Sequence, residues 1–104
     1  MHKVLLVDDE YMITEGLKVL IPFEKWNMEV VATANDAEEA LDYVKNHPVD
    51  LVITDVNMPG MNGLEMIAQM KESLPKLAFI ILSGYQEFEY VKKALNLQVA
   101  DYLV

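Results

Sequence analysis

The chain is predicted to be an α/β domain built on a parallel sheet, and three observations predict it. Apolar residues switch repeatedly between short β-branched runs and helical spacing, the pattern of strands alternating with helices. The runs Val4-Leu5-Leu6-Val7 and Val49-Asp50-Leu51-Val52-Ile53 are apolar enough for strands covered on both faces. Each run leads into acid: Asp8 and Asp9 follow the first, Asp55 the second. The carboxyl edge of such a sheet is where ligands bind.

After the first strand, Ile13, Leu17, Leu20 and Ile21 fall at helical spacing, and Pro22 ends that helix. Met28 to Ala34 is the second strand. Asp36 with Glu39 three residues on resembles a capping box, and Ala37, Ala40, Leu41 and Val44 supply the inward stripe of a second helix that Pro48 closes. The third strand ends at Asp55. Pro59, Gly60 and Gly63 then mark a loop, and Asn62 caps a helix with Leu64, Ile67 and Ala68 inward, ended by Pro75. Lys76 to Leu82 is a fourth strand, Ser83-Gly84 a turn, Phe88, Val91 and Leu95 the stripe of a fourth helix, and Val99 to Val104 a fifth strand. Five strands against four helices leave part of one sheet face bare if a fifth helix normally follows.

With 104 residues, 53% hydrophobic and 24% charged, the sequence describes one folded domain over residues 1–104. Lys and Arg number 8 against 17 Asp and Glu, and the net charge of −9 argues against direct binding to nucleic acid or an anionic membrane. The absence of cysteine excludes disulfides and thiolate chemistry and is compatible with a reducing cytoplasm, where the chain is expected. Neither a signal peptide nor a membrane span is predicted, since the amino terminus runs straight into a strand pattern.

If the first and third strands are neighbours, Asp8, Asp9 and Asp55 converge. Two like charges about 4 Å apart repel by on the order of 4 kcal/mol at an effective dielectric near 20, so the cluster calls for a cation. Its donors are all hard oxygens, which favours Mg²⁺. A Mg²⁺ held by carboxylates beside one more carboxylate suits phosphoryl transfer onto that last group. Glu10 fits a solvated charge at a helix start, and the seven methionines fit gap-filling or surface adaptability. His2 and His47 have no acid or nucleophile at a suggestive spacing and are assigned no chemistry.

Four ordered motifs, Val4-Leu5-Leu6-Val7-Asp8-Asp9-Glu10, Thr54-Asp55-Val56-Asn57-Met58-Pro59-Gly60-Met61-Asn62-Gly63, Ile81-Leu82-Ser83-Gly84 and Ala100-Asp101-Tyr102-Leu103-Val104, resemble the receiver domain of two-component response regulators across essentially the whole chain. The resemblance implies a flavodoxin-like, doubly wound five-stranded parallel sheet in the order 2-1-3-4-5, with the carboxylates at the switch point beside strand one. It implies Asp55 as phosphoacceptor for a sensor histidine kinase, Asp9 as direct Mg²⁺ ligand and Asp8 as the acid holding the metal's water. Asn57 would offer its main-chain carbonyl to the metal. Ser83 would hydrogen-bond the phosphoryl group, and Tyr102 would be the switch aromatic. Such a domain is its own phosphotransfer catalyst and substrate.

Receivers carry a lysine followed by proline three residues after the switch aromatic, whereas this sequence ends two residues after Tyr102, at Val104. The chain is accordingly expected to be a receiver cut short before that lysine and the fifth helix, with self-association to cover the bare sheet face. The stretch Ser83 to Leu95 and the connection Pro22-Phe23-Glu24-Lys25-Trp26 resemble receivers whose output is an AraC-type DNA-binding domain, so DNA would be contacted only through that absent domain. Two further classes compete. One is an interaction module that works without phosphorylation, which the missing lysine favours; the other is a haloacid-dehalogenase-type hydrolase, disfavoured because Asn57 stands where it needs an acid. A flavodoxin is disfavoured too, because Asp8-Asp9-Glu10 would repel its phosphate.

Overall fold

In the computed structural model, which describes residues 1–82 and the backbone of residues 101–103, the chain runs β1 (His2–Val7), α1 (Tyr11–Leu20), a 3-10 turn (Phe23–Trp26), β2 (Met28–Ala34), α2 (Ala37–Asn46), β3 (Leu51–Asp55), α3 (Gly63–Ser73), β4 (Ala78–Leu82) and β5 (Asp101–Leu103). Every strand pair is parallel, in the order β2-β1-β3-β4-β5. This is the flavodoxin-like order that the motifs imply. The expected Ser83-Gly84 turn and the helix of Phe88, Val91 and Leu95 lie outside the described residues.

β1 and β3 sit at the centre because their side chains tolerate no water on either face: Val4, Leu5, Leu6, Val52 and Ile53 are all essentially sealed. On one face Leu5, Val7, Val52, Phe79 and Ile81 pack under α2 and α3. On the other, Val4, Leu6, Leu51 and Ile53 pack with Phe23 of the 3-10 turn, with the half-buried Leu17 of α1 and with Ile21 just after it. The inter-strand register pairs Val4 with Leu51 through Val7 with Thr54, so the chain leaves both strands on the same level. A shift between Val4 and Leu5 against β2, where Val4 faces Val30 and Leu5 faces Ala32, leaves Val31 as the extra residue of a bulge.

α2 and α3 begin where their caps predict. Asp36 accepts from the Glu39 N–H at 2.8 Å, and the Glu39 carboxylate turns back to the Asn35 N–H at 2.6 Å. Asn62 and Glu65 form a complete capping box. Two inward stripes differ from expectation. α3 buries Leu64, Ile67, Met66 and Met70 and exposes Ala68, because one 100° step beyond Ile67 already leaves the sheet. α1 turns Thr14 and Leu17 inward, as does Ile21 at its C-cap, and leaves Ile13 and Leu20 facing water, with Met12 78%, Val19 84% and Leu20 80% exposed. Three methionines, Met58, Met66 and Met70, are core residues.

Candidate acidic metal site

Because β1 and β3 run parallel and in step, Asp8, Asp9 and Asp55 emerge at one edge, each offering a carboxylate oxygen within 4.8 Å of the others. Asp8 is buried at 4% exposure, Asp55 is half-buried and Asp9 faces solvent. The Asp8 N–H continues the β1–β2 ladder to the Ala34 carbonyl at 3.1 Å, and its Oδ1 accepts the Glu10 N–H at 2.8 Å. Burial pushes the Asp8 carboxyl up from 3.8 to about 6; the charges of Asp55, Asp9 and Glu10 add to the rise, and the Glu10 N–H pulls against it.

Asp55 closes β3. Its Oδ1 lies 3.4 Å from the Asn57 N–H, and its own carbonyl accepts the Thr54 hydroxyl at 2.9 Å. The chain then turns through Gly60, whose φ of +78° is readily adopted by glycine, and enters α3 at Gly63, whose N–H donates to the Val56 carbonyl at 2.9 Å. Asn57 is exposed on this loop. The tip of β3 is thereby tied to the start of α3.

The donor set fits a hard divalent cation: carboxylate oxygens only, drawn from two strands, with one ligand buried and one open to solvent. An ion there would also offset the crowding that raises Asp8. Of the residues singled out in the sequence, the structure brings Asp8, Asp9 and Asp55 together and puts Asn57 beside them. Ser83 lies outside the described residues, as does the Tyr102 side chain; the Tyr102 backbone pairs with Ile81 in β5. Two neighbours escaped sequence reasoning: the fully buried Thr54, which looks like any strand residue, and Gly63, which passes for a loop glycine. His47 stacks on Tyr43 at 4.3 Å, and His2 lies at the opposite sheet edge, 4.0 Å from Asp50, so neither takes part.

Fold and acids together define a doubly wound α/β domain with an acidic cluster at its topological switch point whose oxygens fit a cation. The model of the response regulator receiver domain matches residues 4–104, and the chain belongs to that family. HptR, a transcriptional regulatory protein of Staphylococcus aureus, is 41% identical over 104 residues, which are 100% of this chain and 40% of HptR. The receiver domain of AraT, a response regulator from Geobacillus stearothermophilus, superposes with a TM-score of 0.91 at 46% identity, covering 98% of this chain and 79% of that one. A CheX–CheY–BeF₃–Mg²⁺ complex from Borrelia burgdorferi aligns with a TM-score of 0.86 at 28% identity, over 99% of this chain and 77% of that one.

The chain spans between 28% and 41% of the length of the curated relatives it matches first. Phosphoryl transfer in two-component signalling is the general function of the family, whose members interact with histidine kinases and bind DNA through output domains. Among the described residues no helix is long and apolar enough to cross a membrane.

Proposed function

We propose that residues 1–104 are one receiver domain that accepts a phosphoryl group on Asp55 from the phosphohistidine of a sensor histidine kinase, in the cytoplasm. The observation that carries this reading is the convergence of three carboxylates within 4.8 Å at the tips of β1 and β3. Asp8, Asp9, Asp55 and the Asn57 main-chain carbonyl would hold Mg²⁺, by likeness to the family and by the hardness of the donors. When bound, the ion supplies charge neutralisation for the phosphoryl oxygens.

Asp55 acts as nucleophile and catalyst of its own modification. One carboxylate oxygen forms the new P–O bond as the P–N bond to the donor imidazole breaks, and the imidazole nitrogen leaves with the electron pair. Asp8, held by the Glu10 N–H, anchors the buried side of the site, while exposed Asp9 leaves an open approach for the donor. Ser83 and Tyr102 take the roles of phosphoryl-binding hydroxyl and switch aromatic. In the full-length protein the readout is a DNA-binding output, a reading supported by the transcriptional regulator HptR.

The test is mass spectrometry after incubation with acetyl phosphate and Mg²⁺. A hydroxylamine-labile adduct on Asp55, absent from Asp55→Asn, is the expected result; an unlabelled wild-type chain overturns the assignment. A second reading, an interaction module independent of phosphorylation that also self-associates, is favoured by the exposed Met12, Val19 and Leu20 on α1. Light scattering that gives a monomer for both the wild-type chain and Met12→Ser/Leu20→Ser removes self-association.

A further inference from the structure

Two groups outside the carboxylate cluster close on the peptide carbonyl of Asp55, and we infer that Thr54 and Gly63 form a clamp that positions the Asp55 carboxylate for the cation. The inference rests on the proposed phosphoacceptor role. Thr54 is wholly buried, and its hydroxyl donates to the Asp55 carbonyl oxygen at 2.9 Å. From the α3 side, a Cβ built on Gly63 would overlap that same oxygen and would crowd the Val56 Cα at 3.1 Å and the Asp55 carbonyl carbon at 3.2 Å.

All three of these atoms are main chain at the end of a central strand, so none can swing aside as a long side chain would. The Gly63 N–H bond to the Val56 carbonyl at 2.9 Å holds the helix start against the strand end. Carbonyl and carboxylate of Asp55 hang from one Cα. A push on the carbonyl therefore turns the residue and displaces its carboxylate oxygens relative to Asp8 and Asp9. Octahedral Mg²⁺ tolerates little displacement of its ligands. Gly63 and Thr54 are thus positioning residues, acting through Asp55 without touching ion or phosphoryl group.

The experiment compares wild type, Gly63→Ala, Thr54→Val and a control, Met70→Ala, a buried residue at the far end of α3. Manganese affinity is read by electron paramagnetic resonance on folded protein, and the rate of acetyl phosphate labelling is measured at saturating Mg²⁺. Gly63→Ala is expected to weaken Mn²⁺ binding by about 10- to 100-fold, the range for groups that orient a metal ligand, and Thr54→Val by roughly 10-fold. Both should label slowly even at saturating metal. Met70→Ala should melt earlier yet keep wild-type affinity and rate, which separates positioning from loss of stability.

Where Gly63→Ala does not fold, Thr54→Val, which preserves volume, decides. Wild-type affinity and rate in folded Thr54→Val or Gly63→Ala overturns the clamp, as does an equal loss of affinity in Met70→Ala. A wild-type chain that neither binds Mn²⁺ nor becomes labelled sinks the phosphoacceptor reading, and the clamp with it; wild-type binding with unaffected variants sinks the clamp alone.

Discussion

Aspartates stand at both edges of the β1–β3 pair, and the two edges treat them oppositely. At the amino edge Asp50 accepts the Lys3 N–H at 2.7 Å and lies 4.0 Å from the His2 ring, a solvated carboxylate that stitches β1 to the start of β3. At the carboxyl edge Asp8, Asp9 and Asp55 crowd within 4.8 Å, and burial with like charge lifts Asp8 to about 6. A carboxylate placed for stability finds donors. At the carboxyl edge the Glu10 and Asn57 N–H groups donate as well, yet burial and like charge still raise Asp8, and that contrast sets the candidate cation ligands apart from Asp50.

The sharpest way to break the contrast is metal affinity. Replacing Asp9 or Asp8 by Asn should weaken Mn²⁺ binding by about 100-fold, or roughly 2.7 kcal/mol, while Asp50→Asn leaves it unchanged; similar losses at both edges would erase the distinction. Next comes thermal protection. Mg²⁺ at a hundredfold excess over its dissociation constant should add about 2.7 kcal/mol to wild-type stability, with the gain lost in Asp55→Asn, as followed by melting at graded Mg²⁺.

A smaller effect of opposite sign is expected without metal. Asp8→Asn should stabilise the ion-free chain by on the order of 2 kcal/mol at neutral pH, because it removes a buried charge held at a cost. The pH dependence follows the same sign. The folded chain binds the Asp8 proton more tightly than the unfolded chain, so this group's stabilisation is complete below 3.8 and is lost as pH rises through about 6. Denaturant melts of metal-free protein should therefore show wild type gaining on Asp8→Asn between pH 7 and 4, whereas Mg²⁺ affinity falls over the same interval as protons compete. Smallest of all, Asp50→Ala should cost about 1 kcal/mol, the worth of one exposed bond to the Lys3 N–H; a cost above that of a core truncation would mean that the amino edge does more than stitch strands.

Much of this was legible in the residues themselves. Strand runs buried on both faces announce their place at the sheet centre, and acids directly after such runs announce its carboxyl edge. The pair Asp36 with Glu39 and the cap Asn62 mark helix starts correctly because capping is local chemistry. The stripes of α1 and α3 were harder to phase, since Ile13, Leu20 and Ala68 are apolar by identity while their direction depends on where the sheet lies. Thr54 and Gly63 were illegible for a deeper reason. Their importance lies in a contact across the β3–α3 turn, and a hydroxyl or a missing Cβ carries no trace in sequence of the carbonyl it meets.

The in-step pairing of β1 with β3 has a consequence for how this chain can vary over evolutionary time. Side chains alternate faces along a strand, so adding or dropping one residue within either run would carry Asp8 or Asp55 to the wrong side and bury a charge in the core. Length changes are confined to connections away from the β3–α3 turn, whose course is fixed by the Gly60 φ of +78° and the Gly63 N–H bond to the Val56 carbonyl. Descendants of this sequence can vary in length at those outer connections while the two runs, and the turn that ties β3 to α3, stay locked.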